Sequence, residues 1–133
     1  ALAAEEAKSD VSLSIENRPI RAHKVAGDVV WFDFVNICEG PRSQNDYIEL
    51  ATLFTTVLIS NVPVLDATRE DAARRFISLV DEFYDRRVKL ILSADEGIAN
   101  LYQGQRLSFE FQRTQSRLLE MQSESYLGEP HVS

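Results

Sequence analysis

Apolar and polar positions alternate first at Val11, Leu13 and Ile15, set between Ser12, Ser14 and Glu16. A period of two is that of a half-buried strand, so the chain is predicted to open on one. Asn17-Arg18-Pro19 then reads as a turn and Ile20 to Lys24 as a second strand. Gly27-Asp28 marks another turn, and Val29 to Val35 is a third strand, too continuously apolar to leave one face in water. The opening third therefore predicts a small, mainly antiparallel sheet.

Gly40-Pro41-Arg42 breaks the pattern, and Ser43-Gln44-Asn45-Asp46 follows it. A serine three residues ahead of an acid is a helix start, because hydroxyl and carboxylate satisfy backbone N–H groups that have no partner within the helix. The helix so begun places Tyr47, Leu50, Ala51 and Phe54 on one face. Thr56 to Val62 is a β-branched strand ended by Pro63. From Thr68-Arg69-Glu70-Asp71 a helix runs with Ala73, Phe76, Ile77, Val80, Phe83 and Tyr84 at helical spacing. Val88 to Ser93 returns as a strand. Strand, helix, strand is a βαβ unit, which places its two strands in parallel inside a covered sheet.

Beyond Gly97 a helical turn is predicted at Ile98 to Tyr102, an edge strand at Leu107 to Phe111 and a last helix over Arg113 to Tyr126. The fold class expected is α/β, with α+β as the alternative: a small, mainly antiparallel N-terminal sheet, a βαβ unit and a C-terminal helix. Residues 1–10 and 128–133 are expected to be tails around a single domain over 11–127. There is no internal repeat.

Composition narrows the function. With 14 Lys+Arg against 21 Asp+Glu, the 133 residues carry a net charge of −7. Such a chain repels nucleic acid and anionic membranes at long range, so broad backbone binding to DNA is not expected. Arg69, Arg74, Arg75, Arg86, Arg87 and Lys89 form the one dense basic cluster. Cys38, the single cysteine, forms no internal disulfide and suits a reducing, cytoplasmic setting. No apolar run approaches the roughly 18 residues of a membrane span, and residues 1–10 lack the pattern of a signal peptide. Met121 is the only methionine, so Ala1 is not a retained initiator, and a piece of a longer polypeptide is expected.

Most chemical motifs are missing. A phosphate-binding loop needs Gly-x-x-x-x-Gly-Lys-Ser/Thr, and none of the glycines at 27, 40, 97, 104 and 128 precedes a lysine. Ile77 to Val80 followed by Asp81-Glu82 imitates the metal-binding acids of such enzymes. The chemistry wants those acids at a strand end, whereas the period here is helical and puts both on a solvated face. Asp33 stands at a strand end but has no acidic neighbour. His23 and His131 have no Cys, Asp or Glu at ligand spacing. Cys38 reads as a small buried hydrophobe, and no Gly-x-Ser-x-Gly elbow occurs.

The arginines hold more interest. Arg113 and Arg117 are four apart on one helix face, where like charges repel and the N-terminal end of the helix disfavours them. An acid is therefore expected to face them. Glu110, Glu120 and Glu124 are the ordinary ion-pair partners; the sharper reading is a pair that senses nucleotide phosphate or activates a partner. Arg74 and Arg75 are expected to pair within their own helix with Glu70, Asp71 and Ser78.

Three stretches carry a resemblance. They are Phe32-Asp33-Phe34…Cys38-Glu39-Gly40-Pro41-Arg42-Ser43…Asp46-Tyr47, then Ala73-Arg74-Arg75-Phe76-Ile77…Val80-Asp81-Glu82-Phe83-Tyr84-Asp85 with Val88-Lys89-Leu90, and last Phe109-Glu110-Phe111-x-Arg113-Thr114-x-Ser116-Arg117-Leu118-x-Glu120-Met121-Gln122-Ser123…Tyr126-Leu127. In order and spacing they resemble the C-terminal part of the AFG-like, ZapE-type ATPases, which are P-loop, AAA+-related hydrolases. The resemblance implies ATP and Mg in the full-length protein, with the phosphate loop and metal-binding acids upstream. It also implies an upstream P-loop half as partner, a homo-oligomeric parent and a link to cell division. From this region only Arg113 and Arg117 are candidates to touch nucleotide, as sensor or finger arginines. Against an ATPase-completing role stands a binding module that recruits a division or quality-control protein.

Overall fold

The computed structural model describes residues 7–132, so the first six positions of the expected N-terminal tail lie outside the described residues. The strands are β1 (Lys8–Ile15), β2 (Arg18–Ala26), β3 (Val29–Asp33), β4 (Thr56–Val62), β5 (Leu65–Asp66), β6 (Lys89–Ala94) and β7 (Tyr102–Gln103). The helices are α1 (Phe34–Cys38), α2 (Gln44–Leu53), α3 (Glu70–Asp85), α4 (Ile98–Leu101), α5 (Ser108–Glu120) and α6 (Glu124–Leu127).

One five-stranded sheet organises the molecule, in the order β1-β2-β3-β4-β6. Its first three strands are antiparallel, β4 lies parallel to β3, and β6 lies parallel to β4. The α/β class and the βαβ unit β4-α3-β6 are thus as the hydrophobic pattern predicts. The first turn sits one residue earlier than expected. Glu16 and Asn17 both take positive φ, the two-residue hairpin geometry that matches strand twist, and Pro19 is already inside the β1–β2 ladder opposite Ser14.

Burial alternates along the parallel strands. Val30 and Phe32 of β3 and Val57 and Ile59 of β4 enter the core with Phe34, Tyr47, Leu50, Phe76, Phe83 and Phe111 of the helices. Phe76 is the hub, with ring centroids 6.1 Å from Phe34 and 6.3 Å from Phe111. Val29, Trp31, Leu58 and Ser60, on the opposite face, are only half-buried. At the edge, Ile91 of β6 is 47% exposed. A fully covered parallel sheet was the expectation; instead β6 is an edge strand, because no further strand pairs with it among the described residues.

Four local expectations change. The third strand stops at Asp33, and Phe34, Ile37 and Cys38 turn into the core at helical spacing as α1. An apolar run this short does not by itself separate strand from helix. Leu107 to Phe111 is no edge strand but the entry to α5. Leu107, Phe111, Thr114, Leu118 and Met121 bury at helical period, while Phe109, the middle of the alternation, is 81% exposed. The last helix ends at Glu120, and α6 restarts after Ser123, whose hydroxyl accepts from the Tyr126 N–H. Finally, described residues of both expected tails meet the body. β1 opens at Lys8, the Val132 N–H donates to the Arg86 carbonyl, and His131 Nε2 lies 2.6 Å from the Ala51 carbonyl.

The start of α2 is a capping box, with Ser43 and Asp46 exchanging side-chain and backbone bonds. Asp46 is fully buried and Arg18 closes on it at 2.5 Å, tying the β1–β2 hairpin to α2.

Candidate functional site

The helices α3 and α5 pack side by side, and their shared surface holds the two arginines singled out by spacing. Arg117 Nη1 lies 2.5 Å from Asp81 Oδ1, and Arg113 Nη2 lies 3.3 Å from Asp81 Oδ2. One carboxylate therefore spans both guanidinium groups. The expected acid is present, but it is Asp81 on the neighbouring helix rather than Glu110, Glu120 or Glu124. Long-range packing chose it: α3 lies beside α5, a neighbour that local spacing could not report.

Asp81 consequently does not lie on a solvated face. Its side chain is 24% exposed, against 26% for Arg117 and 58% for Arg113. Arg117 also stacks on Tyr84, with its guanidinium carbon 4.9 Å from the ring centroid, and the Tyr84 hydroxyl donates to Glu120 at 2.6 Å. That hydrogen bond to a carboxylate pushes the Tyr84 phenol above its ordinary pKa. Arg117 is fixed on two sides and Arg113 is tethered on one. Asp81→Asn keeps the shape and removes the charge, so it is expected to lower stability by about 1–2 kcal/mol, between exposed and fully buried pairs. Urea unfolding checks this; a cost below about 0.5 kcal/mol would return Asp81 to a solvated role.

The other sequence candidates separate. Asp81 and Glu82 sit on α3, not at a strand end, so their arrangement is not that of metal-binding acids. Glu82 instead accepts from the Gln44 amide at 2.8 Å. Asp33 does stand at the end of β3, 4.0 Å from His23 Nε2 and 3.5 Å from Asn61 Nδ2. Around it lie polar groups that the pattern did not single out. Asn61 takes φ +61° where the β4–β6 register shifts, its N–H donates to Ser93 Oγ, and Trp31 Nε1 donates to Ser60 Oγ. The readable signal was an asparagine two residues before Pro63 at a strand end. Ligands of open α/β sheets gather at the carboxyl ends of parallel strands, which is where this group lies.

Cys38 is fully buried, and burial pushes its thiol far above the ordinary range, so it remains a neutral hydrophobe. Tyr47 beside it donates to the Ile37 carbonyl at 2.8 Å, and burial raises its phenol likewise. The dense basic cluster does not act as one patch: Arg69 faces Glu39 at 3.6 Å and Arg87 binds Glu129 at 2.7 Å. Nor do Arg74 and Arg75 form ion pairs within α3. Arg75 turns to the Cys38 carbonyl at 3.4 Å. Among the described residues no group of three His, Cys, Asp or Glu side chains gathers as metal ligands, and no helix is long and apolar enough to cross a membrane.

Taken together, fold and site define a mixed α/β protein in which two arginines of α5 share one carboxylate of α3. The chain belongs to the AFG1-like ATPase family, whose model matches residues 1–130. It is 47% identical over 133 residues, the whole chain, to the cell division protein ZapE of Escherichia coli K12, of which it covers 36%. It is 34% identical over 146 aligned residues to lactation elevated protein 1 homolog B of Danio rerio, covering 86% of this chain and 29% of that protein. The chain thus spans about a third of the length of these curated relatives. None of the solved structures matches it.

Proposed function

We propose that this chain is the C-terminal part of a P-loop ATPase and completes the nucleotide site of that longer protein with Arg113 and Arg117. The observation carrying the proposal is the shared Asp81 carboxylate, which holds two guanidinium groups side by side while leaving Arg113 58% exposed. A planar fork so presented suits the oxygens of a phosphate group. ATP supplies the phosphoryl group to be transferred, and Mg its charge neutralisation. The chain's residues do not fit the rest of that site: Gly-x-x-x-x-Gly-Lys is missing, and among the described residues no three His, Cys, Asp or Glu side chains gather. The phosphate cradle and metal ligands therefore belong to an upstream half.

The half-open sheet supports the same reading. Parallel strands are ordinarily covered on both faces, yet Val29, Trp31 and Leu58 remain half-exposed and Ile91 more so. Relatives about three times as long leave ample chain to cover them. The name of the Escherichia coli relative supports a role in cell division for this protein. A cytoplasmic location and a homo-oligomeric parent belong to the same proposal and rest on the sequence resemblance.

Calorimetric titration of ATP with Mg tests it. The isolated chain should show no micromolar binding and no hydrolysis, and the parent polypeptide both. Micromolar binding by the chain alone, or a parent that neither binds nor hydrolyses ATP, would overturn the proposal.

A further inference from the structure

Away from the Asp81 site, a cleft of about 280 Å³ lies between α2 and α3. Arg42, Arg74 and Arg75 line it, together with the Ser78 hydroxyl; Asp71 is the one carboxylate in its wall. None of the three arginines has a carboxylate within 4.0 Å among the described residues, in a chain whose acids outnumber its basic residues by seven. Elsewhere among the described residues Arg18, Arg69, Arg87, Arg113 and Arg117 each find one, while Arg21, Arg86 and Arg106, which do not line this cleft, stand without. Three guanidinium-bearing side chains share this wall with one carboxylate, Asp71, that none of them contacts, so like charge outweighs counter-charge there and an anion lowers the repulsion.

Two of the three are also held in place. Arg42 donates through Nε to the Asn36 carbonyl at 3.2 Å and through Nη2 to the Pro19 carbonyl at 3.0 Å. Arg75 is anchored on the Cys38 carbonyl. Anchored guanidinium groups lose little further freedom on binding, which favours affinity. Arg74 is exposed on the same side of α3 and is the group available to close over a ligand.

We infer that this cleft is a binding site for a dianionic phosphate group, either free phosphate or a phosphorylated side chain of a partner. Guanidinium forks and a hydroxyl donor match its oxygens. The site is distinct from the Asp81 arginines and does not depend on the ATPase reading.

The test is a proton–nitrogen NMR titration of the 133-residue chain with sodium phosphate at constant ionic strength. Separate arms use a short phosphoserine peptide and its unphosphorylated twin. Phosphate should shift the signals of Arg74, Arg75 and Ser78 with a dissociation constant of about a millimolar or below. Arg74→Gln and Arg75→Gln should each weaken binding about tenfold, the loss of one charge-assisted bond. Lys24→Gln, an equal charge change on β2, should leave it unaltered. The peptide binding more tightly than free phosphate assigns the site to a phosphorylated partner; the reverse assigns it to a small ligand. No localised shifts, or equal weakening by Lys24→Gln, overturns the inference, and Arg74, being exposed, tests it without threatening the fold.

Discussion

Phe76→Ala is expected to lower the unfolding free energy by about 3–5 kcal/mol, the range for truncating a buried phenylalanine. Phe76 is fully buried, and its ring lies between Phe34 of α1 and Phe111 of α5. Those three aromatics come from three separate helices, so the cavity left by alanine cannot close by moving one side chain. A domain of this length holds about 7–20 kcal/mol in all, so the loss is a large share of it. Urea unfolding of both proteins measures the difference, and an unchanged slope with a lower midpoint would assign it to the native state. A cost under about 1 kcal/mol would mean that the three helices do not share one core.

In the parent polypeptide, Arg113→Ala is expected to cut ATP turnover roughly a hundredfold while its melting temperature barely moves. Arg113 is 58% exposed and meets Asp81 only at 3.3 Å, so its ion pair is worth at most about 1 kcal/mol. A contact to phosphate oxygens made in the transition state is worth two to three times as much, roughly the factor quoted. Arg117→Ala should cut turnover similarly but also lower the melting temperature by about 2–6 °C. It loses both the Asp81 contact and the Tyr84 stack. Lysine at either position should restore little turnover, because an ammonium lacks the planar fork. Unchanged turnover in both alanine variants would reduce the pair to a structural clamp between α3 and α5. Melting and turnover measured on one preparation separate these outcomes.

Much of this fold was legible as periodicity. Val11, Leu13 and Ile15 announce β1, Thr56 to Val62 announces β4, and Phe76, Ile77, Val80 and Phe83 announce the buried face of α3. In each case the burial pattern is a property of neighbours along the chain, which any reader of the chain sees. The family was legible too, because its motifs are contiguous. Phe34 and Leu107 to Phe111 were misjudged for one reason: a run of five apolar or alternating residues satisfies two periods at once, and only the surface it meets chooses between them. Leu107 and Phe111 found a core one helical turn apart, and Phe109 was left to solvent.

Charges were the least legible. Spacing alone demanded an acid opposite Arg113 and Arg117, since like charges four apart on a helix repel. The expected helix start at Arg113 was wrong, because α5 begins at Ser108 and Arg117 stands in its last turn, where the helix dipole favours a cation. Its identity, Asp81, depended on which helix lay alongside, and that is a contact across more than thirty positions of chain. Equally, nothing in Pro41-Arg42-Ser43 or Ala73-Arg74-Arg75 shows that the two segments face one another. Local sequence determined the buried faces of β1, β4 and α3 and that Arg113 and Arg117 needed a counter-charge; tertiary packing alone decided which arginines received one, because Coulomb interactions act through space and not along the chain.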